Sequence, residues 1–247
     1  MMKAPTFASF GAIDPGRPER VPPAFDDVVR GRRTVRAFLP QRVPRAVVSE
    51  ILDLAARSPS TFNTQPWQVH VVAGPARQAL VDAILEDHAA NAVPPFTPFP
   101  NPPPSDCAAR QAEFARHYYA SLSILQDDMV ARARQTSRNY QFFDAPVGLM
   151  FTIDTRLTHN SWLDLGLFLQ TLMLAAHARG LGTCPQVAFL RYERRIATQL
   201  RFDAYQALVC GMSLGYPDGD AGVNQVCMPR DAAGDFTTWH GFDGSPG

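Results

Sequence analysis

The sequence predicts a layered α+β domain, in which helices pack against a sheet. The apolar patterns run in the order helix, helix, strand, helices, strand, buried helix, strand, without the regular βαβ alternation that builds a parallel sheet. At 247 residues with 46% hydrophobic content, the chain suits one domain with a substantial core. Residues 1–24 contain five prolines and no long apolar run. We therefore expect a flexible N-terminal arm, followed by a single domain over 25–247.

The first half of the domain contains three predicted helices and one strand. A short helix covers residues 24–30, and residues 44–57 show apolar side chains at the i, i+3, i+4 spacing of an amphipathic helix. Residues 67–73 are rich in valine, which favours an extended strand. A turn then leads into a helix over residues 76–90.

The second half continues with a long helical region at 107–134, broken at most once, and a buried strand at 147–153. Residues 162–179 are apolar nearly all round, which predicts a helix buried on several sides and placed at a subunit interface. A short charged helix at 191–199 and a strand at 207–211 follow. The end of the chain, from residue 217 to 247, is expected to be an extended tail.

The segment 91–106 carries seven prolines in sixteen positions, so no regular element can form there. It is either a linker or a lid over a pocket, because long ordered loops in compact domains are often functional. In the second interpretation Phe96 and Phe99 bind the substrate by stacking on a flat acceptor.

Charge and cysteine usage exclude several classes of protein. The formal net charge is zero, from 23 basic and 23 acidic residues, so we expect no nucleic acid and no membrane surface as partner. The four cysteines are far apart and form no C-x-x-C pair. This spacing indicates neither a zinc site nor a disulfide framework, and it favours a cytoplasmic location.

Three arginines lie within five residues at Arg32, Arg33 and Arg36, with the Thr34 hydroxyl between them. Arginine presents a rigid fork of donors to phosphate oxygens, so in a neutral chain this cluster indicates a small dianion such as a phosphate. The alternative is a solvated loop with ordinary surface charge.

Residues 58–67 concentrate hydroxyl and amide side chains between a helix end and a strand. Such groups, with free backbone N–H groups, suit the edge of a planar heterocycle. An ordinary connection rich in turn-forming residues is the alternative.

A G-x-S-x-G pattern centred on Ser213 follows the last predicted strand. In serine hydrolases this pattern marks the nucleophile, and Asp231 and His240 follow in the right chain order. The pattern must open a helix, however, and a proline- and glycine-rich turn follows here. A strand end built from small residues is the favoured interpretation.

Taken together, the motifs resemble those of nitroreductase-family flavoproteins. The resemblance rests on GRRTVRAF at 31–38 and AARSPSTFNTQPWQVHVV at 55–72, followed in order by NYQFFDAPVGLMFTID at 139–154 and SWLDLGLFLQTLMLAAHARGLGTCPQ at 161–186. GYPD and VNQV, within 215–226, complete the set. The later pieces look most like the branch that reduces nitrobenzoates and nitroarenes. Residues 91–136 match poorly, and the resemblance implies that they are the variable lid and substrate region. The resemblance implies a central, mostly antiparallel sheet flanked by helices, in an intertwined homodimer.

The resemblance also implies a function and a set of site residues. FMN would be reduced by NADH or NADPH and reoxidised by a small aromatic electron acceptor, nitroaromatic or quinone-type, in a ping-pong mechanism. Arg32, Arg33 and Arg230 would face the phosphate, Thr34 the ribityl chain, Arg36 the pyrimidine edge, Asn139 the ring, and Pro185 and Gln186 its reactive middle. Pro59, Ser60, Thr61 and Asn63 would come from the other subunit. Arg36 and Gln186 would tune the flavin, and no further catalytic residue is expected.

One position departs from the family pattern. Cys227 stands where the family often has the first arginine of R-T-x-R, which leaves one phosphate contact open while Arg230 remains. Two alternatives keep the same fold: a flavoenzyme with other chemistry, such as reductive dehalogenation, dehydrogenation or flavin breakdown, and a flavin carrier without turnover.

Overall fold

The computed structural model describes residues 24–90, 93 and 100–241. Its centre is a four-stranded sheet in the order β1-β2-β4-β3, and every neighbouring pair is antiparallel. The strands are β1 Gln68–Ala73, β2 Val147–Asp154, β3 Gly182–Gln186 and β4 Gln206–Gly215. The predicted α+β class with a mostly antiparallel sheet is therefore confirmed.

Eight α-helices surround the sheet in the described part of the chain. They are α1 Phe25–Gly31, α2 Arg45–Ala55, α3 Gly74–Ala89, α4 Ser105–Ala120, α5 Met129–Ser137, α6 Asn160–His177, α7 Glu193–Leu200 and α8 Ala233–Phe236. Short 3-10 turns at Thr61–Asn63, Arg138–Asp144, Val187–Tyr192 and Gly222–Asn224 connect them. No helix among the described residues is long and apolar enough to cross a membrane.

The two faces of the sheet carry separate cores. Leu149 and Met212, paired across β2 and β4, are fully buried with α2 and α6 on one face. Met150, the next residue of β2, belongs to the opposite core with α3 and α7. Because successive strand residues point to opposite faces and both faces are covered, the two central strands are mostly apolar, with Thr152 and Ser213 as buried polar residues. A bulge near Thr152 shifts the register between β2 and β4.

Several element predictions need correction. Strand β3 was not predicted, because it is short and contains a proline; Pro185 is tolerated since β3 lies at the sheet edge. Strand β4 continues to Gly215, so the small residues at 211–215 lie inside the strand and do not end it. The break expected in 107–134 is real and separates α4 from α5.

Helix α6 was expected to be buried on several sides. In a single chain this is wrong, because the face of the helix that points away from the sheet is exposed. Leu165, Phe168 and Leu172 are buried against the sheet. Trp162 and Leu163 are instead 50% and 69% exposed. The helix therefore presents an apolar face that one chain does not cover.

Candidate functional site

The arginine stretch runs along the free edge of β3. The Val35 N–H donates to the Thr183 carbonyl at 2.9 Å, and Thr34 forms a parallel bridge with Thr183. The Val35 side chain packs directly on Gly182, where a Cβ would lie 2.5 Å from Val35 Cγ2. The stretch can approach the strand this closely because residue 182 has no side chain.

Alternation along this extended stretch separates its side chains. Val35 is buried toward β3, whereas Thr34 and Arg36 face a cavity of about 720 Å³ on the other side. The cavity lies between the stretch, helix α4 and the chain segment 223–231. Its charged lining residues are Arg30, Arg32, Arg33, Arg36, Arg110, Glu113, Arg230 and Asp231.

Positive charge in this cavity is poorly neutralised. Burial, and secondarily the nearby Arg230, lower the pKa of Arg32. Among the described residues, no carboxylate pairs with Arg32, Arg33, Arg36 or Arg230. Arg110 differs, because it pairs with Asp231 at 2.6 Å. Cations that repel one another in a common cavity favour an anion, and a phosphate accepts several of their donors at once.

The main chain at Arg36 is fixed by the segment that follows β4. The Arg36 N–H donates to Asn224 Oδ1 at 2.8 Å. Asn224 Nδ2 donates in turn to the carbonyls of Ala37 and Asp218, at 2.8 and 2.9 Å. The Asn224 side-chain amide, which is half-buried, thus ties the arginine stretch to the segment that carries Arg230. Sequence reasoning quoted Asn224 only as part of a motif and missed this role.

Gln186 lies at the end of β3 and uses its side chain internally. Its Nε2 donates to the Asn139 carbonyl at 2.7 Å, and its Oε1 accepts from Ser213 Oγ at 2.6 Å. The predicted neighbours Asn139 and Gln186 are therefore in contact. The Gln186 side-chain amide is therefore occupied on both sides and is not available to a ligand. Pro185, before it, is exposed.

The serine hydrolase alternative is wrong. Ser213 is fully buried inside β4 and donates its hydroxyl proton to Gln186. A nucleophile must reach its substrate and needs a base as hydrogen-bond partner, and Ser213 has neither.

The turn at residues 59–63 does not reach the cavity of its own chain. The Thr61 N–H donates to the buried Asp164 at 3.1 Å, which holds the turn on the first turns of α6. The Ser60 hydroxyl accepts from the Gln65 N–H at 3.0 Å. Phe62 has a positive φ of 51° and is 98% exposed. Pro59, Ser60, Thr61 and Asn63 therefore form a surface separate from Arg32 and its neighbours.

Two further site predictions have different outcomes. Phe96 and Phe99 lie outside the described residues. Arg230 does line the cavity, and its guanidinium donates to the carbonyls of Met228 and Pro229 at 3.2 and 2.9 Å. Cys227, the departure from the family pattern, also lines the cavity and is exposed.

Helix α4 contributes a cavity wall that the sequence analysis missed. Arg110 and Phe114 are four residues apart, and both line the cavity. The i, i+4 spacing was the available signal, since such residues share one face of a helix. No local sequence pattern, however, indicates that this face of α4 lies opposite the arginine stretch.

Comparison with known proteins identifies the family. The pattern of the Nitroreductase family matches residues 29–216, which is more than half of the chain. The chain belongs to the nitroreductase family. This confirms the predicted resemblance and the oxidoreductase class.

Relatives of known function are similar over nearly the whole nitroreductase chain. A 4-nitrobenzoate reductase of Pseudomonas putida is 48% identical over 219 residues, covering 89% of this chain and 96% of the relative. A chloronitrobenzene nitroreductase of Comamonas testosteroni is 40% identical over 220 residues, covering 88% and 97%.

Solved structures agree on the fold. The FMN and NADPH-dependent nitroreductase NfnB of Sphigopyxis sp. strain HMH has a TM-score of 0.85 at 32% identity, covering 89% of this chain and 100% of that one. The FMN-dependent NfnB of Mycobacterium smegmatis, solved in complex with NADPH, has a TM-score of 0.81 at 33% identity, covering 87% and 97%.

Proposed function

We propose that this nitroreductase is an FMN-dependent enzyme that uses NADH or NADPH to reduce small nitroaromatic acceptors of the nitrobenzoate type. The observation that carries the proposal is the group of arginines without carboxylate partners in one cavity, Arg32, Arg33, Arg36 and Arg230. A dianionic phosphate would relieve their mutual repulsion. The names of the relatives in Pseudomonas and Comamonas support the choice of acceptor.

The cavity fits FMN in charge and in size. Arg32, Arg33 and Arg230 would hold the phosphate, and the Thr34 hydroxyl, which lines the same cavity, would hold the ribityl chain. About 720 Å³ is within the range of roughly 300–1,000 Å³ that is usual for small-molecule sites. When bound, FMN supplies hydride chemistry between the nicotinamide and the acceptor.

The roles of the chain are binding and electrostatics. Arg36 carries a positive charge that no carboxylate among the described residues neutralises, and its main chain is fixed by Asn224. A fixed cation at this position would favour a negatively charged reduced ring. The Gln186 side chain is engaged with Asn139 and Ser213, so tuning of the flavin from this end of β3 would come from a backbone N–H at Gln186 or after it.

Excess positive charge also bears on the acceptor. The lining arginines outnumber Glu113 and Asp231, so a bound phosphate would leave the cavity positive. We therefore expect acceptors with a carboxylate to be preferred over neutral nitroarenes. We further propose a ping-pong order, with donor and acceptor using the same cavity in turn, and quinones as a second acceptor class.

We also propose that the enzyme is a homodimer. Phe62 and the α6 residues Trp162, Leu163 and Leu167 are exposed apolar side chains near the Thr61–Asp164 contact. A second copy of the chain would cover them and bring Pro59, Ser60, Thr61 and Asn63 to its own arginine stretch. In a two-fold dimer, this exchange happens at both sites.

The test is an absorbance spectrum of the purified protein, followed by anaerobic addition of NADH or NADPH and a panel of acceptors. We expect a yellow protein that releases FMN on denaturation, is bleached by a nicotinamide and is reoxidised faster by 4-nitrobenzoate than by nitrobenzene. A colourless protein that does not quench FMN fluorescence in a titration would overturn the assignment. Bound FMN that no nicotinamide bleaches would indicate a carrier.

A further inference from the structure

Helix α4 contacts the arginine stretch at the side chain of Arg36. The Arg36 guanidinium lies 5.3 Å from the ring centre of Phe114 and 5.0 Å from that of Tyr118. These two rings are four residues apart on α4 and stack on each other at 5.4 Å with an angle of 13° between their planes. The guanidinium therefore faces a double aromatic wall, in which each ring attracts the cation through its negative face.

The Tyr118 ring of this wall is held in place by helix α5. Gln135 of α5 is buried, and its Nε2 donates to the Tyr118 hydroxyl at 2.8 Å. Because Tyr118 is only 8% exposed, its ring has little freedom to leave Arg36. Helices α4 and α5 therefore restrain the Arg36 side chain together.

The remaining contacts of Arg36 leave its charge intact. Burial raises the pKa of the nearby Cys184 thiol to about 11, although the charge of Arg36 lowers it, so the thiol stays neutral at physiological pH. The Asn224 contact involves only the Arg36 main chain. A flexible arginine side chain without a carboxylate would otherwise sample many rotamers, so the aromatic wall supplies the missing restraint.

We propose that Phe114 and Tyr118 are positioning residues that aim the Arg36 guanidinium into the cofactor cavity, and that helix α4 thereby tunes the flavin. The inference rests on the proposed FMN function. It means that the variable region of the chain, which includes α4, influences the potential of the cofactor as well as the choice of acceptor.

The experiment compares Phe114→Leu and Tyr118→Leu, which remove the aromatic face and keep an apolar side chain. The matched control is Tyr119→Leu. This neighbour on α4 makes the same kind of contact at 4.1 Å, but with Arg132. The measurements are the FMN dissociation constant, by fluorescence quenching, and the midpoint potential of bound FMN, by equilibration with a reference dye.

We expect Phe114→Leu and Tyr118→Leu each to weaken FMN binding about fivefold and to make its midpoint potential more negative. Tyr119→Leu should change neither value. In an Arg36→Ala background, Phe114→Leu should have no further effect on the potential, because the group that it positions is gone.

Two results would overturn the inference: Leu variants that match Tyr119→Leu, or a potential shift of the same size with and without Arg36. Phe114 is only half-buried, so Phe114→Leu decides the question even if Tyr118→Leu does not fold. Failure of the proposed function is a separate outcome, in which the unaltered protein itself takes up no FMN.

Discussion

Arg32 shows how a single residue combines a local and a distant constraint. It follows α1 directly, and burial lowers its pKa together with the charge of Arg230, nearly two hundred residues later in the chain. The cluster of Arg32, Arg33 and Arg36 could be predicted from the sequence because the three lie within five residues. Their approach to Arg230 was available only through the family resemblance, since no local pattern links the two segments.

Arg32→Ala should therefore weaken FMN binding about 10- to 100-fold, because a hydrogen bond to a charged group is worth about 1.5–3 kcal/mol. Arg45→Ala is the control, since Arg45 is an exposed arginine at the start of α2. The measurement is an FMN titration at two salt concentrations. Equal affinities for the Arg32→Ala and Arg45→Ala variants would show that the cavity does not hold the phosphate.

Ser213 is the opposite case, because its motif left a nucleophile open as the less favoured interpretation, and the burial of the side chain excludes it. Ser213→Ala would remove the donor to the buried Gln186 Oε1, so we expect the free energy of unfolding to fall by about 1–3 kcal/mol. Urea denaturation checks this value. A fluorophosphonate should not label the unaltered protein at Ser213, and stoichiometric labelling there would contradict the buried position.

At the scale of elements, strand β3 was the main omission of the sequence analysis. Five residues with a proline and a glycine carry too weak a pattern to predict a strand. Strand β3 nevertheless positions the site, because it lies at the sheet edge and its Thr183 carbonyl accepts a hydrogen bond from the Val35 N–H of the arginine stretch. The longer helices were predictable, since their apolar spacing is a local property.

Gly182→Ala tests this placement. A Cβ at residue 182 would lie 2.5 Å from Val35 Cγ2, so the arginine stretch must move away from β3. We expect a loss of about 1–3 kcal/mol of stability, typical of overpacking, together with weaker FMN binding. Gly234→Ala is the control, because nothing lies within 4 Å of a Cβ there. If Gly182→Ala lost stability but kept full FMN affinity, the strand contact would not position the site.

On the scale of the whole molecule, one chain keeps the two predicted groups of site residues apart. The cavity holds Arg32 and Arg36, whereas the turn with Ser60 and Asn63 lies on α6 beside exposed apolar side chains. The sequence predicted both groups and, through the resemblance, their origin in different subunits. Periodicity alone could not do so, because the apolar pattern of α6 indicates an interface but not which residues of the two chains meet there.

Complementation between subunits tests the shared site. One chain carries Arg32→Ala and Arg36→Ala, and the other carries Ser60→Tyr and Asn63→Ala. Each homodimer should be inactive, because both of its sites are damaged. A heterodimer purified through two tags should have one site with both sets of defects and one wholly intact site.

That heterodimer should bind about one FMN per dimer and recover about half of the unaltered activity. The expected activity depends only on which chain supplies the arginines and which supplies the turn at 59–63, so the natural acceptor need not be known. If both groups served a site within one chain, every site of the heterodimer would carry one defect and activity would stay absent. A folded heterodimer without FMN would therefore reject the shared site. Recovery of one site in two requires the arginine stretch of one chain to meet the turn at 59–63 of the other across the interface.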